Sequence, residues 1–238
     1  MIGDASDGVL NPLSQPVNTA LRVIGATIVA GILAGLGAVG FHYVADTFGE
    51  LLFAWADAHK ALTRLPVVLL VPPAGLFCIG IFLQHFPQSR KGGVVEVIEA
   101  LGHDHGKVPL VRILNVIISG LVLAVGGSVG PEGPMVQLGA LIGSQSGQWF
   151  GLTRRQLETL VRAGAAAGIG TAFRSPAGGV LLTLEIFGAR FNRDLTAISI
   201  ACGIGYLVRT AILGDAYPFR PPVPLDVLPT VSMVLLVH

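Results

Sequence analysis

The chain has 238 residues, of which 52% are hydrophobic and only 12% charged, with a mean hydropathy of +0.73, whereas an ordinary soluble domain is roughly 25% charged. That composition belongs in a membrane, and the soluble enzyme classes are set aside. Fifteen basic residues against fourteen acidic ones leave +1, without the basic stripe a nucleic-acid partner requires.

At about 20 apolar residues per crossing, the length admits up to about eight helical segments and no sizeable extramembrane domain. The predicted fold class is therefore all-α: a polytopic integral membrane protein with broken, tilted helices. Residues 1–18 hold Asp4 and Asp7 but no Lys or Arg, which does not fit a signal peptide and predicts an N-terminal tail. The first span is expected over residues 23–41, between Arg22 and the polar group His42, Asp46 and Glu50. Residues 65–86 form the next apolar run, with Pro72 and Pro73 predicting a kink or a fresh start. Arg90 and Lys91 follow and suit a cytoplasmic end.

After Gly92 and Gly93 the pattern predicts a short helix over residues 94–101, carrying Glu96 and Glu99 and too short to span. A loop containing His103, Asp104 and His105 comes next. Residues 113–131 and 133–152 are two uncharged runs divided by a single acidic residue, Glu132. Beyond Arg154 and Arg155, the stretches 163–173, 175–184 and 195–208 are each shorter than a crossing and predict tilted or half-membrane helices. The transmembrane repeat is expected over residues 19–224. A Pro-rich linker at 218–229 then leads into residues 225–238, the start of a further, truncated helix with its apolar part at 227–237.

Thirty-two glycines and fifteen prolines, with no Gly-X-Y period, suit close helix packing and interrupted helices. Gly139, Gly143 and Gly147 make a small-residue stripe at helical spacing, read as a packing face. Cys78 and Cys202 have neither a metal-ligand spacing nor a disulfide framework. His103 and His105 fall short of a metal ligand set, so no metal and no cofactor is expected. An intramembrane protease using Ser128 is disfavoured, because His42, His85, His103 and His105 all lie at run ends or in loops, none placed to act as its base.

The most informative segment is Gly127-Ser128-Val129-Gly130-Pro131-Glu132-Gly133-Pro134. Its glycines let the backbone turn and approach a ligand closely, and Pro134 suits the first turn of a helix running on to Phe150. The free N–H groups and positive dipole end of such a helix attract an anion, and the nearest one is the Glu132 carboxylate. A tethered carboxylate competes with a mobile anion until protonation removes its charge, which makes Glu132 a candidate gate. The alternative role is a helix-capping Glu at the membrane surface. An ionisable residue between long apolar runs favours function.

Gly130-Pro131-Glu132-Gly133-Pro134, followed by Val136, Gln137 and Gly139, resembles the Gly-Arg-Glu-Gly-Pro motif of the chloride channel (CLC) family of anion channels and proton-coupled antiporters. Residues 168–180, from Gly168 through Phe173, Ser175 and Pro176 to Val180, resemble the family's Ala-Ala-Phe-Asn-Ala-Pro-x-Ala-Gly stretch. The resemblance implies a homodimer in the cell membrane, with an anion pathway in each subunit built from two inverted repeats. It makes Glu132 the external gate, with Gly130, Pro131 and Gly133 at the anion. Chloride or another small anion, with protons in the antiporters, is the implied substrate, and lipid the surrounding partner.

Three departures from the family pattern bear on function. The earlier anion motif, Gly-Ser-Gly-Ile-Pro-Glu, stands here as Lys91-Gly92-Gly93-Val94-Val95-Glu96, so the Ser hydroxyl is lost and backbone N–H groups near Gly92 and Gly93 are left to meet the anion. Pro131 replaces Arg at the gate, which weakens anion capture. Ile186 stands where antiporters carry a proton-delivering Glu, leaving neighbouring Glu185 as the candidate proton path. Tyr206 and Tyr217 precede the point where the family's second half and its pore tyrosine begin. The chain is thus expected to hold the first repeat only, and the alternative to transport is a truncated, non-transporting fragment.

Overall fold

A computed structural model describes residues 14–57, 61–85, 92–127, 130–188 and 191–214. The described residues form eight α-helices and no strand: α1 Ser14–Asp57, α2 Ala61–His85, α3 Val94–Gly102, α4 Ile113–Ala124, α5 Glu132–Trp149, α6 Arg154–Ala172, α7 Pro176–Ile186 and α8 Phe191–Leu213. A single 3-10 turn, Leu110–Arg112, leads into α4.

α1 is much longer than the expected span. Its 44 residues reach about 66 Å at 1.5 Å per residue, twice the hydrocarbon thickness. No proline stops it after residue 41, and His42, Asp46 and Glu50 fall four residues apart on one edge. A second edge, Ala26, Ala30, Ala34, Ala38, Phe41 and Ala45, is buried in the protein, while Ile24, Ile28, Ile32 and Leu36 are exposed. One face therefore packs and another presents hydrocarbon outward, as a lipid-facing helix does. α2 runs through Pro72 and Pro73 without a break, so the helix does not begin afresh there. Each proline removes one backbone donor, which a long apolar helix in a membrane tolerates.

Two of the three short apolar stretches lie in longer helices, α6 and α8, where charged residues find partners. α6 starts at Arg154, where Thr153 and Gln156 form a capping box. Arg162 of α6 donates to Phe187 O at 3.2 Å and lies 3.6 Å from Asp194 of α8. Asp194 is fully buried and also accepts from Thr159 at 2.6 Å. α7 keeps its expected start, with Ser175 Oγ accepting from Gly178 N–H at 3.1 Å and Pro176 in the first turn. Among the described residues, two helical segments, 18–51 and 194–213, are long and apolar enough to cross a membrane.

α6 is the centre, packed on α5, α8, α7 and α1. The stripe read from sequence forms the seam with α5: a Cβ on Gly139 would lie 2.1 Å from Gly164 O, and one on Gly143 2.3 Å from Leu160 O. Gly164 and Gly168 return the contact on Gly139 O and Met135 O, both at 2.1 Å. Cys202 is a buried packing thiol, with Sγ 3.2 Å from Ala166 O and 3.3 Å from Pro176 O, whereas Cys78 is exposed. The further helix expected at 227–237 lies outside the described residues.

Candidate functional site: two helix N-termini at a glycine contact

The α5–α6 seam fixes where α5 begins, and α3 meets α5 at that end. A Cβ on Gly93 would sit 3.5 Å from Gly133 Cα, and one on Gly133 3.8 Å from Gly93 Cα. Gly93 is the N-cap of α3 at φ 70°, ψ −145°, a conformation that glycine adopts without strain. The N-cap of α5 is Pro131, and neither N-terminus carries a side-chain cap. Two positive dipole ends thus converge on one spot.

At α5 the first intrahelical bond runs from Met135 N–H to Pro131 O at 3.1 Å, and Pro134 has no N–H to offer. The helix itself therefore leaves the N–H groups of Glu132 and Gly133 unpaired. The Glu132 side chain curls back over Gly130, where an added Cβ would fall 1.7 Å from Glu132 Oε2. Pro131, Glu132 and Gly133 are half-buried, and Gly130 is exposed. The structure thus brings Gly92, Gly93, Pro131, Glu132 and Gly133 to one junction with Gly130 at its edge.

A buried polar network that sequence reasoning passed over holds the junction together. Gly93 N–H donates to Gln137 Oε1 at 3.1 Å, so this amide is engaged by the protein. Gln137 Nε2 in turn donates to Glu96 Oε2, which also accepts from Asn115 Nδ2 at 3.4 Å. Arg112 Nε lies 2.5 Å from Glu96 Oε1. Glu96, Asn115 and Gln137 are buried, and Arg112 supplies the charge that a buried carboxylate needs. The available signal was two amides, Asn115 and Gln137, inside uncharged, largely apolar runs.

Glu185 is exposed in the last turn of α7. Its neighbour Ile186 packs against the cluster of Val97, Val136, Val161 and Phe187. His103, Asp104 and His105 line an open cavity with Lys107, Gln145 and Gln148, and no metal-ligating group of three is found among the described residues. Ser128 lies outside the described residues.

Residues 74–237 match the family described as Voltage gated chloride channel. The chain is 30% identical over 202 residues to an uncharacterized protein of Methanocaldococcus jannaschii, covering 84% of this chain and 47% of that one. It is 32% identical over 200 residues to the voltage-gated ClC-type chloride channel ClcB of Escherichia coli, covering 80% and 47% respectively. Among solved structures it resembles a slow cyanobacterial Cl−/H+ antiporter at 27% identity and TM-score 0.70, over 90% of this chain and 53% of that one. A CLC-type fluoride/proton antiporter shares the fold at 23% identity and TM-score 0.65, over 95% and 55%. The chain spans about half the length of the curated relatives it matches.

Proposed function

The chain belongs to the voltage-gated chloride channel family, and from that premise we propose that it serves anion transport across the cell membrane, with the α3–α5 junction as its anion site and Glu132 as the gate. The observation that carries this reading is the convergence of two uncapped helix N-termini at Gly93 and Gly133. A chloride ion at this junction would be met by the Glu132 and Gly133 N–H groups and by two dipole ends. Weak, dipolar binding of this kind suits an ion that has to leave again.

The gate follows from the same geometry. Ionised, the Glu132 carboxylate competes with the mobile anion for the end of α5; protonated, it gives up that claim. Protons thereby control access, and Ile186 in the core favours channel-like flow, with Glu185 the candidate if protons are coupled. Two copies of the chain are expected to pair, each with its own site.

The test is chloride efflux from liposomes containing this chain, read by chloride and pH electrodes together. Efflux without proton uptake supports a channel-like pore, and efflux with a fixed proton ratio that collapses in Glu185→Gln supports coupling through Glu185. The second reading is a membrane fragment that inserts without carrying anions, favoured by the coverage of 47% of ClcB. No efflux from folded, inserted protein would establish that reading for these 238 residues.

A further inference from the structure

A cluster of two arginines and a histidine, none of them part of the α3–α5 junction, has no role in the reading above. Arg209 of α8 is only 4% exposed, and Arg174, in the turn between α6 and α7, is half-buried. A Cβ on Gly35 of α1 would lie 2.7 Å from Gly205 O, one turn before Arg209, and one on Gly205 3.4 Å from Thr171 Cγ2, while Ala172 packs with Phe41, next to His42, so the packing carries Arg174, Arg209 and His42 into one region. The cluster thus gathers groups from two helices and a turn. Arg174 also holds a left-handed backbone, at φ 54°, which a residue with a Cβ adopts at a cost.

Five nitrogen atoms of this cluster are unsatisfied. Nε and Nη1 of Arg174, Nε and Nη1 of Arg209 and Nε2 of His42 are all buried, and none has a hydrogen-bond partner among the described residues. Other buried charges here are matched: Glu96 by Arg112 and Asp194 by Arg162. The carboxylate acting nearby is Asp46, one turn along α1 from His42 and exposed. Burying a guanidinium without a counter-charge is strongly unfavourable, and a second positive charge in the same region adds repulsion. An anion between them removes both penalties through charge-assisted hydrogen bonds.

Depth adds to the case. Gly168 of α6 packs on Met135 of α5, and Ala172 joins the cluster of Phe41, Val116 and Met135. Arg174, two residues further on, therefore lies at the end of the molecule where α5 begins. We propose that Arg174, Arg209 and His42 form a second, buried binding site for a small inorganic anion, separate from the α3–α5 junction. The proposal does not depend on transport, because it rests on unsatisfied cations and not on the helix N-termini.

Bromide diffraction tests it directly. Crystals of the full chain grown in sodium bromide should show an anomalous peak within hydrogen-bond reach of both guanidiniums, independent of any peak at Gly133. In solution, bromide should raise Tm relative to sodium gluconate at equal ionic strength. The bromide concentration needed should rise at least tenfold in Arg174→Asn and in Arg209→Met. Arg174→Asn replaces the half-buried member and reads the site even if Arg209→Met does not fold. An anomalous map with no bromide beside the pair would overturn the proposal, as would a carboxylate of this chain, or of a neighbouring copy, seated there in its place.

Discussion

Glycines meet at two places in this protein, and the two contacts differ by more than 1 Å. Along the α5–α6 seam an added methyl group would land 2.1 to 2.3 Å from a backbone carbonyl oxygen at Gly139, Gly143, Gly164 and Gly168. At the α3–α5 junction the same methyl would sit 3.5 to 3.8 Å from the facing glycine, an ordinary contact distance. In the seam glycine is required by packing, because helix backbones touch. At Gly133 packing leaves room for a side chain, and under the proposed function glycine there would keep the N–H groups of α5 accessible. Identical residue types thus meet under different constraints, and only distance separates them.

The comparison can be broken first at its support. Arg112→Met should leave Glu96 buried without its counter-charge and destabilise the protein by about 3 kcal/mol or more, seen as a lower midpoint in detergent unfolding. If stability is unchanged, the network under the junction is not what holds α3 against α5. Gly164→Ala comes next, forcing α5 and α6 apart at a cost of about 1–3 kcal/mol, measured in the same way. A seam that tolerates this alanine would remove the distinction between the two contacts.

Smaller effects sharpen the junction. Gly93→Ala places a Cβ at φ 70° and should cost about 1–2 kcal/mol, with no comparable loss for Gly133→Ala. Gly133→Ala is expected to keep the unfolding midpoint within about 0.5 kcal/mol, the range of substitutions away from packed features, while lowering chloride flux by crowding the α5 N–H groups. Glu132→Gln should leave stability unaltered, raise chloride conductance and abolish its dependence on pH, as recorded in liposomes. Unchanged flux and unchanged pH response would remove Glu132 from the gating role.

Much of this was legible in advance. The membrane class, the all-α fold and the start of α5 at Glu132 all follow from local features: apolar runs, one acidic divider and a Gly/Pro turn. The helix lengths were not, as α1 shows by running past His42, Asp46 and Glu50. A charge ends an apolar run in the sequence, but it ends a helix only if its side chain cannot reach water or a partner. At α6 and α8 the partners come from each other, as Arg162, Thr159 and Asp194 do.

What the sequence by itself determined was the chemistry at the start of α5, because Gly130, Pro131, Glu132, Gly133 and Pro134 set backbone freedom, missing donors and a carboxylate within five consecutive residues. What only the tertiary structure decided was what stands opposite. The Gly93–Gln137 bond joins residues 44 apart and the Glu96–Gln137 bond residues 41 apart, and the burial of Arg209 depends on how α8 lies against α1 and α6. Such contacts carry no local signature, since they follow from glycine seams that set how closely whole helices approach, and an amide or guanidinium acquires its role only once the helices around it have excluded water.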